Sequence, residues 1–154
     1  MKYFSILILA GLLFIACNNS ADEPEDDGDT TNLAPPVYSW QASLNDSTGK
    51  LEVKKSDTVG PDSLSVPAVI TYLNAANTNV QLTFIKTSGD TVYLKIPDPM
   101  YLTQQMGSSG PTIYLAQAIY SLTEVPGIKY VNLDFEEGDH ASPGTFSRES
   151  FKDE

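Results

Sequence analysis

The sequence predicts an α+β fold: a single small domain with an antiparallel or mixed sheet and two helices packed on one face, in the order ββ-α-ββ-α-β. Three observations carry that reading. Short runs of apolar–polar alternation near residues 80–84, 92–96 and 131–135 have the period of strands with one face on a core and one in water. Two intervening runs repeat apolar residues at helical spacing, each with a proline near its start. Setting aside the N-terminal apolar run and the acidic stretch behind it leaves roughly 115 residues, enough for one core and too few for two.

The elements follow in order. Residues 37–44 and 50–54 alternate as two strands, and the turn formers Asn45, Asp46, Ser47, Thr48 and Gly49 join them into a hairpin. Ser65 then precedes Val66, Val69, Ile70, Leu73 and Ala76, a helical pattern with Pro67 in its first turn; the β-branched residues of 66–71 leave a strand as the alternative. Val80, Leu82 and Phe84, then Val92, Leu94 and Ile96, flank Thr87, Ser88, Gly89 and Asp90 and form a second hairpin. Pro111 opens the second helix, in which Leu115, Ala118, Ile119 and Leu122 share a face before Pro126 and Gly127 end it. Val131, Leu133 and Phe135 make the last strand, and beyond Gly138 the chain reads as polar and irregular.

The N-terminus carries a different signal. A single early cation, Lys2, precedes an apolar run over residues 4–16, too short for a spanning helix, which needs roughly 20 apolar residues. The stretch Leu13, Phe14, Ile15, Ala16, Cys17 resembles the lipobox of bacterial lipoproteins, with Ala16 before the cut and Cys17 as the lipidated new N-terminus. That resemblance implies a diacylglycerol and an N-acyl chain such as palmitate on Cys17, and two or more chains anchor stably. Because Cys17 is the only cysteine, acylation leaves no thiol for a disulfide, a metal or a nucleophile.

Behind it lie Asp22, Glu23, Glu25, Asp26, Asp27 and Asp29, with no Lys or Arg before Lys50, so residues 18–36 read as a disordered acidic leash. An acidic cluster so placed resembles an export tag for the outer face of the outer membrane; a solvated spacer is the other reading. The expected organisation is a signal peptide at 1–16, lipidated Cys17 and leash at 17–36, an N-terminal hairpin at 37–60, an α/β domain at 61–140 and a polar tail at 141–154. The formal charge of −11 and the absence of any basic stripe exclude a nucleic-acid partner on electrostatic grounds. No cofactor is called for.

Residues 101–139 resemble the second half of a GerMN domain, the family named for sporulation and spore germination. The resemblance rests on Gly107, Ser109, Gly110, Leu115, Ala116, Tyr120, Leu122, Thr123, Pro126, Gly127 and Val131, with spacing kept across about forty residues. It implies a small α/β module of envelope lipoproteins, similar in shape to ring-building motifs and not enzymatic. The closing residues 136–140 differ from the family's usual ending, so no functional residue is carried over there.

Three groups of side chains stand out. Gly107, Ser108, Ser109 and Gly110, ahead of a helix, have the form of an anion- or ligand-binding turn but lack the lysine of a P-loop; turning and capping the helix is the plainer reading. Asp134, Glu136, Glu137, Asp139 and His140 offer oxygen donors and one imidazole for a divalent ion, without EF-hand spacing, against the reading of solvated loop charge. Tyr93, Tyr101, Tyr114, Tyr120 and Tyr130 suggest a sugar-stacking surface, with the rim of a core as the plainer reading. The sole histidine, His140, accompanies no nucleophile-elbow sequence. The sequence therefore points to a lipid-anchored, non-catalytic bacterial envelope protein with a protein partner, met through a sheet edge or helix surface. A glycan- or divalent-ion-binding protein is the alternative, and a hydrolase using the 136–140 loop the rival from another class.

Overall fold

The computed structural model describes residues 35–153. The expected signal peptide, Cys17 and the leash up to residue 34 lie outside the described residues.

The first hairpin pairs β1 (Tyr38–Leu44) with β2 (Leu51–Val59) as a separate two-stranded antiparallel sheet. Its turn is set by Asn45, whose Oδ1 accepts the N–H groups of Ser47 and Thr48 at 3.0 Å each, the local bonding that makes Asn a turn former. Strand β2 continues five residues beyond the expected stop at 54, with a bulge opposite Ser39, between Tyr38 and Trp40.

The next segment is the helix and not the strand alternative: α1 spans Val66–Ala76. Ser65 Oγ accepts the Ala68 N–H, Pro67 sits in the first turn where no N–H is needed, and Val69, Ile70 and Leu73 are buried. The second hairpin starts later than the alternation suggests. Leu82 donates its N–H to Asn74 Oδ1 at 2.7 Å and accepts from Asn74 Nδ2 at 2.9 Å, while Gln81 Nε2 donates to the carbonyls of Asn74, Asn77 and Thr78. These side-chain amides take the place of strand partners, so Val80 and Leu82 are buried outside the ladder and β3 runs Thr83–Ser88.

β4 (Thr91–Lys95) pairs antiparallel with β3 and parallel with β5 (Tyr130–Asp134), to which it is connected through α2 (Gly110–Leu122). A short β6 (Gly144–Phe146) completes a mixed sheet in the order β3-β4-β5-β6. The alternation is obeyed: Val92, Leu94, Val131 and Leu133 are buried with Leu73, Ala118, Ile119 and Leu122, so both helices cover one face of the sheet. Each of the Val, Leu and Ile side chains contributes about 1.5–3 kcal/mol through burial. Helix α2 is buried around most of its circumference, and Ala42, Leu51 and Val53 of the first hairpin pack on the same core.

Two elements depart from expectation. Residues Tyr101–Gln105 form a wide helical turn in which the Met106 N–H reaches Tyr101 O, five residues back, at 3.0 Å. The segment 141–154, expected to be an irregular tail, supplies β6 and a 3₁₀ turn, Arg148–Phe151, closed by reciprocal bonds between Ser147 and Ser150. Its polar composition conceals one anchor, the buried Phe151, stacked 6.3 Å from Phe146.

Candidate functional site

The acidic cluster does not converge. Among the described residues no group of three His, Cys, Asp or Glu side chains is placed to share a metal ion. Asp134, Glu136, Glu137, Asp139 and His140 are all exposed. Asp134 stands beside Lys95 in the ladder, Glu137 Oε1 accepts the Ser142 hydroxyl at 2.6 Å, and Gly138 and Ala141 close a small turn. His140 donates its backbone N–H to Thr103 O at 3.0 Å, and no hydrogen bond joins its ring to another described side chain. A Cβ on Gly138 would lie 2.5 Å from Thr103 Cβ, so the glycine lets this loop seat on the wide turn. The loop's order is structural: its carboxylate–hydroxyl pair, Glu137 with Ser142, is solvent-exposed, and the His140 ring takes no part in it.

The Gly107, Ser108, Ser109, Gly110 segment turns the chain with Gly107 at φ +72° and starts α2, but not by side-chain capping. Ser109 is already near helical geometry at φ −102°, ψ −20°, so its hydroxyl bonds no backbone N–H and only its carbonyl enters the helix, accepting from Ile113. The tip of the first hairpin faces it across a small depression lined by Leu44, Gly49, Leu51, Ser108, Ser109 and Thr112.

The five tyrosines do not form one surface. Tyr114 is buried, Tyr120 meets Trp40 edge-on at 5.1 Å, Tyr93 and Tyr130 lie on the open face of the sheet, and Tyr101 belongs to the wide turn.

The densest polar arrangement is one that sequence reasoning missed. Glu124, just past α2, accepts from Trp40 Nε1 at 3.3 Å, from Lys55 Nζ at 2.5 Å and from Arg148 Nη2 at 2.9 Å. The Arg148 guanidinium lies 4.8 Å from the Trp40 ring and 5.0 Å from that of Tyr120, and it donates to Thr123 Oγ1 and Tyr120 O. Burial pushes the Glu124 carboxyl up, but the hydrogen bonds and charges of Lys55 and Arg148 outweigh that and hold it below its ordinary value. One carboxylate is shared by two cations from different segments, so this cluster is a clasp joining the hairpin, α2 and the C-terminal turn. Only the out-of-place aromatic Trp40 and the lone arginine, Arg148, hinted at it in the sequence.

Two open surfaces stand out among the described residues. The first is β3, an outer strand on which every residue is exposed, Phe84 by 49% and Ile85 by 50%. A bulge at Ile85 puts these two neighbours outside strict alternation, and Lys86, the usual guard of an edge, lies over the Tyr93 ring at 4.8 Å. The second is a set of clefts around residues 97–101, beyond the carboxyl ends of the parallel strands β4 and β5.

Neither a protein-family model nor a curated protein nor a solved structure matches this chain. Among the described residues no helix is long and apolar enough to cross a membrane.

Proposed function

We propose that this is a lipid-anchored, non-catalytic envelope protein, GerMN-like in its second half, that docks an extended segment of a protein partner along β3. The observation that carries the reading is the β3 edge itself. An outer strand offers a row of backbone donors and acceptors, which soluble proteins normally blunt or cover. Here the other edge is a three-residue strand, while β3 is six residues long and presents two half-exposed apolar side chains. Strand addition takes its affinity from main-chain hydrogen bonds and its selectivity from such side chains. The lipobox-like residues 13–17 support the anchor, through Cys17, and the acidic residues of 22–29 support its export to the outer membrane.

The test is cross-linking of the anchored protein in cells, comparing wild type with Ile85→Lys. A partner captured in stoichiometric amount by wild type and reduced about tenfold by Ile85→Lys, at unchanged melting temperature, is the expected result. Equal capture by both would remove β3 from the account. The anchor is read separately from the intact mass of the mature protein, which gains the diacylglycerol and N-acyl chains in wild type and loses them in Cys17→Ser.

A further inference from the structure

The cleft on the α1 side of residues 97–101 has a lining of one chemical kind. It is an open groove of about 520 Å³ walled by Thr78, Asn79, Gln81, Asp98, Met100 and Tyr101, with Pro97 and Gln105 completing it. The wide turn Tyr101–Gln105 puts Tyr101 and Gln105 on the same wall, and the turn after α1 brings Thr78 and Asn79 opposite.

The polar groups differ in what they have left to offer. Gln81 spends its N–H₂ on three backbone carbonyls, which fixes its side chain and leaves its amide oxygen as an acceptor. Asp98 Oδ1 accepts the Met100 N–H at 3.1 Å, which holds the carboxylate in place with Oδ2 open. No hydrogen bond engages the Asn79 and Gln105 amides within the described residues. The apolar part is Met100, 55% exposed, beside the partly buried ring of Tyr101 and the ring of Pro97. Among the described residues no cation lines the groove.

We propose that this groove binds an uncharged glycan. Paired amides and a fixed carboxylate oxygen match the vicinal hydroxyls of a sugar, each of which both donates and accepts. The Tyr101, Met100 and Pro97 surfaces match the C–H face of a pyranose ring. A phosphorylated or sulfated ligand would meet Asp98 with no lysine or arginine to offset it. The groove begins at Pro97, just past the carboxyl end of β4, and open sheets with parallel strands generally hold their ligands outside such strand ends. A groove open to solvent suits a chain of sugars better than a single enclosed ring, and it makes the binding weak. This site is separate from the β3 edge and does not depend on it.

Isothermal titration of the full chain with three neutral hexasaccharides tests the proposal: β-1,4-linked glucose, α-1,4-linked glucose and β-1,4-linked N-acetylglucosamine. At least one is expected to bind in the millimolar range or tighter, with affinity falling about tenfold in Asn79→Ala/Gln105→Ala and in Tyr101→Ala. The first variant changes exposed side chains only, so it reports on binding even if Tyr101→Ala lowers stability through its core contacts. Ile85→Lys is expected to bind as wild type. Heat from none of the three sugars, or binding that survives Asn79→Ala/Gln105→Ala, would overturn the proposal. So would displacement of the bound sugar by an extended uncharged peptide at lower concentration, which would make the groove a peptide site.

Discussion

At the scale of single residues, partly buried Glu124 and buried Tyr114 show opposite fates of a polar group removed from water. The Glu124 carboxylate has three donors, and its charged form is favoured in the folded state because Lys55 and Arg148 outweigh burial. A carboxyl lowered on folding adds stability that is fully present above its ordinary value of 4.5 and is lost as pH falls through the folded value. Glu124→Gln is therefore expected to cost about 1 kcal/mol at pH 7, limited by the solvent that reaches Lys55 and Arg148. The gap in melting temperature from wild type should close as the pH is lowered below 4.5, and a gap that persists in acid would deny the carboxylate its part. Tyr114 has the reverse situation: its hydroxyl is buried without a partner among the described residues, and burial pushes the phenol well above its usual range. Tyr114→Phe should leave the unfolding free energy unchanged or raise it by up to about 1 kcal/mol; a clear loss would reveal a bond to that hydroxyl. Tyr114 was legible as one of five tyrosines suited to the rim of a core, and the Glu124 clasp was not legible at all. Trp40 and Glu124 are separated by 84 positions, and nothing in the local pattern joins them.

At the scale of elements, periodicity was readable wherever one face of an element meets the core. Helices α1 and α2 and strands β1, β4 and β5 fall within a few residues of their expected places, because burial on one side imposes the period. Where side chains replace backbone partners the pattern misleads: Asn74 and Gln81 satisfy the chain before β3, and the apolar alternation of Val80 and Leu82 belongs to a buried approach and not to a strand. The C-terminal segment failed for another reason, since its attachment is a single aromatic among polar residues. Phe151→Ala is expected to destabilise the domain by about 3 kcal/mol in denaturant unfolding, removing a buried ring stacked on Phe146 and loosening the turn that carries Arg148. A loss within about 0.5 kcal/mol would return residues 147–153 to the status of a tail. His140→Ala should fall inside that small range, because its ring is exposed and only its backbone is engaged.

At the scale of the whole molecule, the fold separates what is closed from what is open. The hairpin, α2 and the C-terminal turn are fastened by the Glu124 clasp, the acidic loop is seated on the wide turn, and the helix face of the sheet is filled. The β3 edge and the groove beside residues 97–101 have no internal partner among the described residues. The candidate metal cluster looked plausible in the sequence because five donors crowd within seven positions, but strand alternation and loop turns disperse them. The β3 edge was foreseeable only as a class of surface; which strand would be outermost depended on the parallel pairing of β4 with β5, a long-range choice.

The measurement that bears most directly on this account is residue-specific photo-cross-linking in cells, with the reactive group at position 85 on β3 and, as control, at the exposed position 46 in the first hairpin turn. The account predicts one envelope protein captured in stoichiometric yield from position 85 and not from position 46. The same faint background at both positions, from a protein shown to be folded and anchored, would contradict it.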